Sequence, residues 1–133
     1  MKIEEIEGVG PAYAAKLSEA GITTVELLLE QGGAAKGRAA IAEKTEISEK
    51  LILKWVNHAD LIRLKGVGPQ FAELLEAAGV DTVKELRNRN AANLAAKLIE
   101  INEAKSIAGT TPNEKQVEGW IEEAKTLDPR VSH

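Results

Sequence analysis

Residues 6–28 read IEGVGPAYAAKLSEAGITTVELL, and residues 64–86 read LKGVGPQFAELLEAAGVDTVKEL. Advancing the first stretch by 58 positions lays Gly8, Gly10 and Pro11 on Gly66, Gly68 and Pro69. The same shift lays Tyr13, Ala14, Leu17 and Ala20 on Phe71, Ala72, Leu75 and Ala78, and Gly21, Ile22, Thr24, Val25 and Leu28 on Gly79, Val80, Thr82, Val83 and Leu86. That many matches at one spacing indicate an internal duplication. The likeness resumes where SEKLILKW (48–55) meets NEKQVEGW (113–120), now at a spacing of 65. The second copy therefore carries seven extra residues, expected within NEAKSIAGTTP. Two repeat units follow, residues 1–60 and 61–133, with Asn57 to Leu64 as a bridge, related by a pseudo-twofold and packed as one compact domain.

Each unit reads as a run of helices. A short helix is expected to end at Ile6 or Leu64, and GVG then makes a tight turn whose glycines accept positive φ. Pro11 and Pro69 suit a first helical position, where the missing N–H costs nothing. The helices that follow carry an apolar face at Tyr13, Leu17 and Ala20, and at Phe71, Leu75 and Ala78. Gly21 and Gly79 are placed to end them. Thr82 with Glu85 predicts a capping box, and in the first copy Thr23 or Thr24 can serve. Further helices are predicted near 36–44, 48–62, 92–104 and 113–127. No segment alternates as a strand would, so the fold class is all-α. Trp55 and Trp120, with apolar neighbours at helical spacing, read as core anchors and not as base-stacking platforms.

Composition narrows the function. The chain has 133 residues, a formal charge of −4 and no cysteine, which excludes disulfides and thiolate chemistry. No apolar run approaches a membrane span, and the N-terminal MKIEEIEG lacks a signal-peptide core, so a soluble cytoplasmic protein with no membrane partner is expected. Two histidines, His58 and His133, are too few for a zinc site. His58, near Asp60, reads as a surface or hinge residue. The acidic residues interleave with lysines as solvated helix faces do. No serine sits in a nucleophile motif, and GVGP lacks the preceding strand of a dinucleotide fingerprint and any following GK[ST]. The expectation is a protein that is not an enzyme.

The order helix, GVGP turn, helix, AG[IV]-x-T-V, helix resembles the helix-hairpin-helix motif, here in tandem. The two-unit layout is similar to an uncharacterised bacterial family of tandem helix-hairpin-helix proteins known as a domain of unknown function. That resemblance implies non-catalytic, sequence-independent DNA binding. Gly8, Gly10, Gly66 and Gly68 let the backbone approach a phosphate, and helices starting at Pro11 and Pro69 offer free amides. It also implies a monovalent cation held by turn carbonyls as the one candidate cofactor; otherwise none is expected, nor any metal site.

Local charge divides the copies. Motif-bearing DNA binders place a cation after the proline, whereas this chain has Ala12 and Gln70. Glu5 and Glu7 stand where the second copy has Arg63 and Lys65, and Lys16 is the main cation of the first. The second copy adds Lys84, Arg87 and Arg89. The predicted contact set is Arg63, Lys65, Gly66, Val67, Gly68, Pro69 and Gln70, with Gly8, Gly10, Pro11 and Lys16 as the weaker half. Few cations predict weak binding, at or below the nonspecific range of roughly 10⁻⁴ to 10⁻⁶ M. The alternative is a protein-interaction or scaffolding module on the same fold, with the acidic first hairpin as the partner surface.

Overall fold

A computed structural model describes all 133 residues and is all-helical, with eight α-helices and one short 3₁₀ turn. The chain divides into two units, Met1–Asp60 with Arg130–His133, and Leu61–Pro129. The last four residues thus belong to the first unit, although they follow the second in sequence. No helix is long and apolar enough to cross a membrane.

The first unit begins with the 3₁₀ turn Ile3–Glu5, whose Glu5 carboxylate accepts the Lys2 amide at 2.7 Å. Lys2 and Thr24 form an isolated bridge, closed by Ile3 N to Thr23 O and Val25 N to Met1 O. α1 (Pro11–Glu19), α2 (Val25–Gly32), α3 (Ala35–Thr45) and α4 (Glu49–Leu61) follow. Glycine ends α1 as expected: Gly21 has φ +85°, its N–H reaches Ser18 O, and Ile22 N–H reaches Leu17 O. This paired bonding is a Schellman motif, and it brings Ile22 over Leu17, both fully buried. Thr24, not Thr23, caps α2 by accepting the Leu27 amide at 3.1 Å. Ile3, Ile6, Leu17, Ile22, Leu28, Ile52, Trp55 and Val56 are buried in this unit.

The C-terminal residues Arg130–His133 dock at the α2–α3 junction. Ser132 N–H donates to Gly33 O at 2.8 Å, and the buried Arg38 guanidinium donates to Gly32 O, Gly33 O and Ser132 O at 3.0, 2.8 and 2.6 Å. A Cβ at Gly33 would meet Arg130 O at 2.3 Å, so this approach requires glycine.

The second unit holds α5 (Pro69–Ala77), α6 (Val83–Leu86), α7 (Ala91–Lys105) and α8 (Glu114–Ala124). Gly79, at φ +90°, ends α5 with the same bond pair, Gly79 N to Glu76 O and Val80 N to Leu75 O. Thr82 caps α6 and Asn113 with Gln116 forms a full capping box on α8. Leu61, Leu64, Leu75, Leu86, Leu98 and Trp120 belong to one apolar cluster.

Three expectations change. The helix expected to end at Ile6 is only the 3₁₀ turn, and the one expected to end at Leu64 is α4, which stops at Leu61. The extra length of the second unit is not confined to 102–112: α6 has four residues against eight in α2, α7 has fifteen against eleven in α3, and the link Ser106–Pro112 replaces Glu46–Ile47. His58 is neither a surface nor a hinge residue; it is fully buried within α4, as are its neighbours Ala59 and Asp60 to within 2%. Its position in the apolar row of Trp55, Val56 and Ala59 explains that burial.

Candidate functional site

In each unit the GVG segment closes a turn in which the third residue is glycine. Val9 N–H donates to Ile6 O and Val67 N–H to Leu64 O, both at 3.1 Å. Gly8 and Gly66 take φ of +90° and +88°, the conformation a type II turn demands of its third residue. The middle valines face inward, each 4% exposed. Val67, counted above among the contact residues, therefore has a buried side chain and an N–H committed to the turn. Gly8 and Gly66 are exposed, and Gly10 and Gly68 are half-buried.

Extended backbone at Gly10 and Gly68 then leads into α1 and α5, each with proline first and neither with a side-chain cap. Among the other helices only α3, with Ala34 at its N-cap, also lacks one. Thr24, Ser48, Thr82, Asn90 and Asn113 each accept an amide at the head of their helices. At α1 and α5 the amides that such a cap would take belong to Ala12 with Tyr13 and Gln70 with Phe71. A Cβ built at Gly10 or Gly68 would meet nothing within 4 Å. Pro11 and Ala12 are exposed on the first unit, and Gln70 on the second.

A tryptophan from the last helix of each unit's own set stands behind the turn. A Cβ at Gly8 would lie 3.5 Å from Trp55 Nε1, and one at Gly66 would lie 3.5 Å from Trp120 Nε1. Trp120 Nε1 donates to Lys65 O at 3.1 Å. Tyr13 meets Trp55 at a centroid distance of 5.1 Å, and Phe71 meets Trp120 at 5.6 Å. The indoles are 1% and 4% exposed, so they are core residues that also brace the turns. Their distance in sequence from the glycines concealed this second role.

The cations resolve less uniformly. Lys65 is exposed, and its own amide is held by Glu123 Oε1 at 3.0 Å. Lys16 and Lys84 are exposed on α1 and α6. Arg63 donates to Asp128 O at 2.8 Å, and Arg87 donates through Nε to Ala124 O at 2.8 Å and through Nη2 to Leu127 O. Arg89 bonds Glu85 at 3.3 Å and Ala78 O at 3.2 Å. Three arginines of the second unit thus hold main-chain carbonyls, those of Ala78 and Ala124 at helix ends. Glu7 is exposed beside the first turn, and Glu5 is engaged with Lys2.

The carbonyls of Ile6 and Leu64 accept the turn-closing N–H, and that of Lys65 accepts the indole. A shallow cleft of about 340 Å³ adjoins the second turn, lined by Gly66, Gly68, Pro69, Gln70, Phe71 and Thr110. Thr110 comes from the longer link between α7 and α8. No group of three His, Asp or Glu side chains is placed to hold a metal ion.

A family model described as a domain of unknown function (DUF4332) matches residues 7–127, and the chain belongs to that family. No curated protein and no solved structure matches the chain.

Proposed function

We propose that this member of the family is a non-catalytic helix-hairpin-helix module that grips a nucleic-acid backbone, without reading sequence, through its second glycine turn. The observation that carries the reading is the head of α5: no side chain caps it, a Cβ at Gly68 would meet no atom within 4 Å, and an exposed Lys65 lies beside it. Uncapped amides at a helix N-terminus are an anion site by geometry and by dipole. The first turn has the same backbone, but Glu7 lies exposed before it, and a carboxylate there repels phosphate. Binding is weak because few cations remain for phosphates, and it falls steeply with salt. A monovalent cation on the turn carbonyls is a compatible addition, not a requirement. On composition, the cytoplasm is the expected location.

A second reading has its own support. Arg63, Arg87 and Arg89 all spend hydrogen bonds on main-chain carbonyls, and Glu123 sits on the Lys65 amide. This distribution suits a protein-interaction module in which the turns only link helices.

One titration separates the two. A labelled duplex is titrated with wild type, Lys65→Glu and Gly68→Asp at low and moderate salt. Aspartate at Gly68 is a better cap than glycine, so it preserves α5 while supplying the amides with their own carboxylate. The nucleic-acid reading predicts that both variants remain folded and lose binding. Binding unchanged in both variants would leave the protein-interaction reading in possession.

A further inference from the structure

We infer that the cleft beside the second turn receives an unpaired nucleobase, stacked against Phe71 and held at its edge by Thr110 and Gln70. This rests on the nucleic-acid reading of that turn, with a strand's backbone at the head of α5 and one of its bases in the cleft.

Gly66 borders two hollows of similar size, about 350 and 340 Å³, both formed within the second unit. The first, toward α8, is lined by Lys65 and Glu123, and the Glu123 carboxylate accepts the Lys65 amide. The second is walled by Pro69, Gln70, Phe71 and Thr110, and no charged side chain lines it. Such walls offer a phosphate no cation. They offer a neutral planar ring an aromatic side chain, a proline ring, a carboxamide and a hydroxyl. Apolar walls with a few polar groups are what small-molecule clefts of roughly 300–1,000 Å³ provide. Phe71 is half-buried, packed on Trp120 at a centroid distance of 5.6 Å while still lining the cleft.

Thr110 is brought there by structure that the first unit lacks. Its link, Ser106–Pro112, stands where the first unit has only Glu46–Ile47 ahead of the capping Ser48. The link is fastened on both sides of its crest. Asn102 Nδ2 donates to Ala108 O at 2.9 Å, and Asn102 Oδ1 accepts the Ala108 N–H at 2.8 Å. Ile107 and Ala108 rest on the apolar cluster, Pro112 is buried, and Asn113 caps α8. Between these ties Gly109 and Thr110 stay exposed. A link tied at both ends and open at its crest makes a fixed wall. Stacking accepts any base, so the cleft adds affinity without reading sequence. Bases paired in a duplex keep their own stack, so a duplex engages the turn alone, whereas an unpaired strand engages turn and cleft.

A labelled thymidine oligonucleotide and an abasic strand of equal length are compared by anisotropy across a salt series. They carry the same phosphates, so their log–log salt slopes should match. The strand with bases should bind about fivefold to a hundredfold more tightly. Phe71→Leu should bring that ratio close to one. Thr110→Val, at an exposed position, should reduce it by about two- to tenfold with little change in the denaturation midpoint. Equal affinity for the two strands overturns the cleft and leaves the backbone reading standing. A preference undiminished in Thr110→Val, or in a folded Phe71→Leu, puts the base elsewhere and overturns it as well. If neither strand nor a duplex binds, the nucleic-acid reading itself has failed, and the cleft assignment falls with it.

Discussion

The two glycine turns share a backbone and differ in what surrounds it. Gly8 and Gly66 have φ within two degrees of each other, both turns close through a 3.1 Å bond, and both run into an uncapped, proline-led helix. Around the first lie Glu7 and a Glu5 committed to Lys2; around the second lie Lys65 and two arginines committed to carbonyls. Backbone geometry is thus repeated while electrostatics is not. A turn of this kind is a structural part in both places, and what differs between them is the flanking charge.

The comparison breaks most visibly at the tryptophans. Trp55→Ala and Trp120→Ala should each cost about 3–5 kcal/mol in chemical denaturation, as large core truncations do. A marginal loss at either would mean that the indole does not brace its turn. Next come the turn glycines. Gly8→Ala and Gly66→Ala place a side chain at positive φ and should each cost about 1–3 kcal/mol, with matching values if the turns are equivalent. A smaller step is Trp120→Phe, which keeps the apolar contact and deletes the bond to Lys65 O; about 0.5–1.5 kcal/mol is expected from the melting curve. The smallest stability change separates fold from function. Gly10→Asp and Gly68→Asp should alter stability by only a few tenths of a kcal/mol, while only the second removes duplex binding. In the opposite sense, Glu7→Lys should bring the first turn toward the second and steepen the salt slope by up to about 0.9; an unchanged slope would show that charge is not what divides them.

Much of this architecture was legible in the residues because local rules govern it. Gly21 and Gly79 announce left-handed helix ends, Thr82 announces a cap, and Pro11 and Pro69 announce helix starts; each rule acts over four or five residues. Thr24 prevailed over Thr23 because it is the residue directly before α2, held extended by its bridge to Lys2, a long-range contact. The arginine partners were illegible for another reason. Ala124, Leu127, Asp128 and Ser132 are engaged through carbonyl oxygen, which every residue carries, so no side-chain type marks the partner. His58 was misread because a histidine beside an aspartate suggests solvent, whereas α4 carries it into an apolar row. The tryptophans were correctly assigned to the core, but only tertiary packing could show that the core reaches the turns.

The most direct measurement is an amide-by-amide map of the free protein titrated with a short duplex at low salt. The account predicts that the Gly66, Gly68, Gln70 and Phe71 signals shift together and saturate, while those of Ala12 and Tyr13 stay in place. Equal movement in both turns, or none in the second, would contradict it.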